Sequence, residues 1–142
     1  MKGVTHLLSD SAEWMTNSEF VDKNGNISNA IGETRIQIGK EEISNESWVC
    51  LNGQKICNCY RISKEDESRF NFECENTLLG REVGEFKVDK NVVYSKFSVQ
   101  NTKINGFEVV IKNDEDECYA YGSLFDGSEL VNHWRSVMVK IY

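Results

Sequence analysis

Turn chemistry recurs along this chain every 8–12 residues or so, and that spacing points to an all-β sandwich or barrel. The turn-forming stretches are "KNGN" at 23–26, "GKEE" at 39–42, "NG" at 52–53 and "KEDES" at 64–68. They continue with "VDKN" at 88–91, "NG" at 105–106, "NDEDE" at 113–117 and "DGSE" at 126–129. Asn-Gly and Asp-Gly pairs accept the positive φ that tight hairpins need. The segments between them are rich in β-branched and aromatic residues, which suit a pleated, half-buried surface. Several alternate. In "RFNFECE", Phe70, Phe72 and Cys74 oppose Asn71, Glu73 and Glu75; in "GFEVVIK", Phe107, Val109 and Ile111 oppose Glu108, Val110 and Lys112. In "ECYAYGSLF" both faces are largely apolar, as expected of a strand that is covered outside and lines something inside.

Helical signals are confined to a short turn within "KGVTHLLSDSAEW" and another within "ENTLLGRE". Without a long amphipathic helix a parallel βαβ arrangement is disfavoured. The expected architecture is one domain over residues 1–142: an antiparallel up-and-down meander of about eight to ten strands with a short N-terminal helix. Closing the meander into a barrel removes its exposed edges.

Composition supports a packed core and narrows the partners. The 142 residues are 39% hydrophobic and 11% aromatic, enough to bury a core without a metal or disulfide staple. The net charge of −7 disfavours nucleic acid and anionic membrane surfaces, whose phosphates are held mainly by Lys and Arg. No run of 18 apolar residues is present, and the opening "MKGVTHLLSDSAEW" lacks the apolar core of a signal peptide. The expectation is a cytoplasmic protein that does not insert into membranes. Its five cysteines (Cys50, Cys57, Cys59, Cys74, Cys118) are then reduced.

A short N-terminal helical turn, Trp14 opening the first strand, a series of hairpins and Arg135 in the last strand form a layout that resembles the calycins, the lipocalins and fatty-acid-binding proteins. Alanine stands at position 12, where lipocalins usually carry the glycine of Gly-x-Trp, and "RSV" has no tyrosine to complete the carboxylate clamp of fatty-acid-binding proteins. The resemblance implies a ligand-enclosing barrel in which Trp14 and Arg135 pack together across one end. Physically, an indole can plug a barrel end, and a guanidinium stacked on it contributes about 0.5–2 kcal/mol. Arg135 therefore reads first as architecture and second as a ligand contact.

Alternation divides "LVNHWRSVMVKIY" into Val131, His133, Arg135, Val137, Val139 and Ile141 on one face and Leu130, Asn132, Trp134, Ser136 and Met138 on the other. If the first set points inward, His133 and Arg135 place a positive, hydrogen-bonding spot in an apolar cavity. A ligand with an acidic or polar group fits it, with Tyr119 and Tyr121 as further contacts. Haem ligation by His133 is a minor alternative to a solvated histidine. No cofactor is expected; haem or a bilin is the fallback.

Other constellations are weak. Cys57-Asn58-Cys59 is spaced too tightly for a structural zinc pair and has no second pair, so no metal is expected. The run Asp114–Glu117 lacks the alternating ligands and glycine of a calcium loop and reads as a solvated turn. No Gly-x-Ser-x-Gly, phosphate-cradling glycine loop or His-Glu-x-x-His occurs. The leading expectation is binding of a small, largely apolar molecule with a polar or acidic group. A second is a lyase, isomerase or chaperone-like enzyme on the same barrel, acting on a linear tetrapyrrole or phenol, with Tyr119, Tyr121 and Arg135 as acid/base candidates. A third is an interaction protein, partnered or homodimeric, whose barrel is filled by its own side chains.

Overall fold

The computed structural model describes residues 4–141. Ten strands follow one another in the chain: β1 (Ala12–Asp22), β2 (Ile27–Ile38), β3 (Glu42–Leu51), β4 (Gln54–Asp66) and β5 (Arg69–Asn76), then β6 (Gly80–Asp89), β7 (Val92–Val99), β8 (Ile104–Asp114), β9 (Glu117–Asp126) and β10 (Glu129–Lys140). Each pairs antiparallel with its sequence neighbours, and β1 pairs with β10 to close the barrel. The seam runs from Trp14 opposite Lys140 to Asp22 opposite Asn132. With both edges consumed, no strand among the described residues offers an open ladder.

Most of the expected turns fall where turn chemistry places them. Asn52 and Gly53 both take positive φ (52° and 78°), the backbone of a two-residue hairpin. Asn105-Gly106 is a correction: it lies inside β8, and the reversal comes earlier, over residues 100–103, with Asn101 at φ 63°. "ENTLLGRE" is also a plain reversal, because the Asn76 side-chain carbonyl accepts the Leu78 and Leu79 N–H groups (2.8 Å each) and holds a tight turn.

The expected N-terminal helix is likewise absent from the described residues; residues 2–3 of that segment lie outside them. Ser9 N–H donates to the His6 carbonyl (3.0 Å), His6 N–H to Ser9 Oγ (3.0 Å) and Leu8 N–H to His6 Nδ1 (3.1 Å). These side-chain bonds satisfy the backbone locally and favour one compact turn over a helix. The turn drives both Leu7 and Leu8 into the core. They plug the barrel at the end where β1 begins and β10 finishes, among Trp14, Ile43, Ile62 and Val93. The buried Lys112 ties the plug down, its Nζ donating to Thr5 Oγ1 (2.8 Å) with Asp10 3.9 Å away.

The alternation in "RFNFECE" points as expected, with Phe70, Phe72 and Cys74 buried. On β8 the polar-looking set faces inward instead. Gly106, Val110 and Lys112 are buried on Glu108's side of the strand, while Phe107 is exposed. The outer wall accordingly carries apolar side chains, among them Met15, Ile31, Tyr121, Val137 and Val139.

Candidate functional site

The inward face of β10 is the one carrying Asn132, Trp134, Ser136 and Met138. It continues on β1 through Thr16, Ser18 and Phe20. These residues, with Tyr60 of β4, Glu82 of β6, Phe97 of β7 and Glu108 of β8, surround an interior cavity of about 260 Å³. Phe72, Val110 and Ala120 floor it; Leu51, Leu79 and Leu124 flank it toward the end opposite the plug.

Aromatic rings stand in the cavity because small residues make room for them. Gly84, Gly106 and Gly122 sit opposite Phe72, Phe97 and Trp134 in the strand registers, and a Cβ on any of the three would run into the facing ring. Trp134 thus lies across Gly122, with Phe20 5.8 Å away on the closing strand. Phe72 stacks on Phe86 at 4.5 Å, with Tyr60 beside both.

Between the rings runs a belt of polar groups, all but one of those described below held by a neighbour. Ser18 and Ser136 face each other across the seam, their hydroxyls 2.6 Å apart. Asn58 Oδ1 accepts from Asn76 Nδ2 (2.7 Å). Ser47 Oγ donates to Asn45 Oδ1 (3.1 Å). Trp134 Nε1 donates to Glu108 Oε2 (2.8 Å). Glu82 is only 4% exposed and is hydrogen-bonded to Asn76. Asn132 Oδ1 is buried without a hydrogen-bond partner among the described residues.

Electrostatics follow from enclosure. Burial pushes the Glu82 carboxyl up to about 7, and the Glu108 charge adds to the shift. Burial likewise raises Glu108, with the Trp134 hydrogen bond opposing it. The Tyr60 hydroxyl is raised, and the thiols of Cys74 and Cys118 are pushed up to about 12, all chiefly by burial. Such thiols are inert small hydrophobes. Among the described residues no His, Cys, Asp and Glu cluster is arranged to hold a metal ion. Among the described residues the cavity wall contains two carboxylates and no Lys, Arg or His.

The residues singled out in the sequence lie elsewhere. Arg135 points out of the barrel, its side chain 69% exposed, and pairs with Glu19 on the neighbouring strand (3.0 Å). Trp14 points in and is 1% exposed. The expected Trp14–Arg135 closure is therefore corrected, since the two residues stand on opposite faces of the wall and five register positions apart. The cation over the Trp14 ring is Lys140, its register partner, 6.0 Å from the ring centroid. His133 is exposed on the same outer face as Arg135, so it does not reach the interior to ligate a haem or a ligand there. Tyr119 and Tyr121 also face outward; they meet Arg135 in a shallow outer hollow beside Glu19, Ile31 and Cys50.

Glu82, Glu108, Asn132 and Trp134 were not among the expected site residues. One readable signal was Glu82, which shares strand parity with Phe86 and Val88 in "GREVGEFKV" and so puts an acid on an apolar face.

Fold and site together define a closed, ten-stranded antiparallel β-barrel around an interior cavity. Two solved structures share this architecture. The S-type phycobiliprotein lyase CPES from Guillardia theta matches with a TM-score of 0.69 at 10% identity, over 94% of this chain and 89% of that one. Rv2717c from M. tuberculosis matches with a TM-score of 0.70 at 12% identity, over 93% and 92%. Identities this low show a common fold. No protein-family profile and no curated protein matches the sequence.

Proposed function

We propose that the barrel interior is a binding site for one small, largely apolar molecule. The observation that carries the reading is the inner wall itself: aromatic rings seated on glycines and separated by fixed polar groups, around 260 Å³ of unfilled space. Pockets for small molecules combine mostly apolar walls with a few oriented polar groups. Burial of the ligand's apolar surface supplies about 25 cal/mol per Å² before association costs. The unfilled space favours a ligand site over the interaction-protein alternative with a self-filled barrel. Of the polar or acidic group expected of that ligand, the polar one fits the wall better, since Glu82 and Glu108 repel an anion when ionised.

A second reading, a bilin-handling lyase, is favoured by the fold shared with CPES. At about 260 Å³ the cavity falls just below the usual span of ligand pockets, about 300 to 1,000 Å³. A linear tetrapyrrole would extend beyond it toward Leu51 and Leu79. Native mass spectrometry and absorbance of the freshly purified protein test both readings, together with titration by the uncharged dye Nile red. Added mass without colour, or saturable one-to-one dye binding, supports the small-molecule site. A bilin absorbance band supports the second reading. A bare protein that leaves the dye unaltered overturns both.

A further inference from the structure

We infer that the cavity selects a lipophilic cation: an organic molecule with a compact apolar body and a single protonated amine, seated against Glu82, Glu108 and Asn132. The inference rests on the interior being a ligand site and adds the charge and hydrogen-bonding class of what enters.

Three independent features converge. The cavity wall carries two carboxylates and, among the described residues, no cationic side chain. The interior cations, Lys112 and Lys140, are committed elsewhere, one to Thr5 and the N-terminal plug, the other over the Trp14 ring. An incoming cation offsets the desolvation cost of an enclosed carboxylate and weakens the repulsion between the two acids.

The second feature is an excess of acceptors. Asn132 Oδ1 is buried with no donor among the described residues, and it shares the cavity with the two carboxyl groups. A buried acceptor without a partner costs free energy that a ligand N–H recovers. An ammonium brings three donors and no acceptor, which suits the Asn132 oxygen and the two carboxyl groups.

The third is the aromatic enclosure. Trp134, Phe97, Phe20 and Tyr60 line the same space as the carboxyl groups. Their ring faces carry negative electrostatic potential and attract organic cations, more strongly once water is excluded. An anion meets repulsion from the carboxyl groups and the ring faces alike, and a neutral alcohol satisfies one acceptor at most.

The test uses three probes of one skeleton and different charge: 1-adamantylamine, 1-adamantanol and 1-adamantanecarboxylate, titrated into the purified full chain at pH 8. Calorimetry and tryptophan fluorescence are both read. The amine is expected to bind about tenfold or more tightly than the alcohol, the scale of one charge-assisted hydrogen bond, with the carboxylate weakest. Glu82→Gln and Glu108→Gln, each alone, are expected to reduce that preference to about threefold or less while the alcohol's affinity holds. Glu19→Gln on the outer wall should leave the preference intact. The wild-type ranking does not depend on the variants folding. An alcohol or carboxylate that equals or beats the amine overturns the charge inference and leaves the cavity reading standing. So does Nile red binding when no adamantane probe binds. If neither the probes nor Nile red bind, the cavity reading falls as well.

Discussion

Trp134 lies flat across Gly122 and donates its indole N–H to Glu108 at 2.8 Å, so one side chain forms a cavity wall and orients a buried carboxyl group. Glu108 is on β8 and Trp134 on β10; Gly122 on β9, between them, is the register partner of both. The bond thus spans three strands across the inner face. Trp134→Phe keeps a ring over Gly122 but removes the donor. Leaving a buried acceptor unmet costs about 1–3 kcal/mol. Urea unfolding should show that loss, and the Glu108 carboxyl should rise further because the bond that opposes its upward shift is gone.

Gly122→Ala tests the ring's seat. The added methyl would meet the Trp134 ring carbons and the Phe107 carbonyl, and neither the wall nor the backbone has slack. Overpacking of this kind costs about 1–3 kcal/mol. It also turns the indole away from Glu108, so the variant should lose probe affinity as well as melting temperature. Ser123→Ala, one residue on and half-buried on the opposite face, should change neither by more than about 0.5 kcal/mol.

How far the sequence led can be judged from particular strands. Turn residues such as Asn52-Gly53 and the alternation of Phe70, Phe72 and Cys74 were legible because local backbone geometry and one-sided burial write themselves into order and period. The site was not legible for the same reason. A strand whose inner face lines a polar cavity and whose outer face is partly apolar loses the usual contrast, and β8 reverses it, with Phe107 outside and Glu108 toward the cavity. Parity divided β10 correctly into two sets. Which set faced in depended on Gly122, which makes room for an indole where no other side chain would. Asn105-Gly106 misled as a turn because Gly106 serves instead as the seat of Phe97.

Glu82 gives the protein a definite pH dependence. Its carboxyl titrates near 7 when folded and near 4.5 when not, so the folded chain holds the extra proton between those values. Stability from this group is therefore full below about pH 4.5 and is lost as pH rises through about 7. The groups coupled to it, Glu108, Tyr60 and Cys74, are all raised too and none opposes the sign. Glu82→Gln should flatten the fall in urea midpoint between pH 5 and 8 by an amount equivalent to roughly 1–3 kcal/mol. A wild-type protein whose stability rises across that window relative to the variant would contradict the burial of an ionisable Glu82.

The plugged end supplies the last prediction, and it separates two tryptophan–cation arrangements. Arg135 and Glu19 form an exposed pair on the outer wall, and pairs of that kind contribute about 0–1 kcal/mol. Arg135→Ala should therefore leave thermal unfolding nearly unchanged. Trp14 is enclosed by the core and fills the barrel just inside the N-terminal turn, so Trp14→Ala should cost about 3–5 kcal/mol. Lys140→Ala falls between them, losing the cation over the ring, about 0.5–2 kcal/mol. Differential scanning calorimetry of the three variants checks the order. Should Arg135→Ala prove the more damaging of the two cation changes, the outward orientation of that face of β10 is wrong, and the assignment of Trp134, Asn132 and Ser136 to the cavity fails with it.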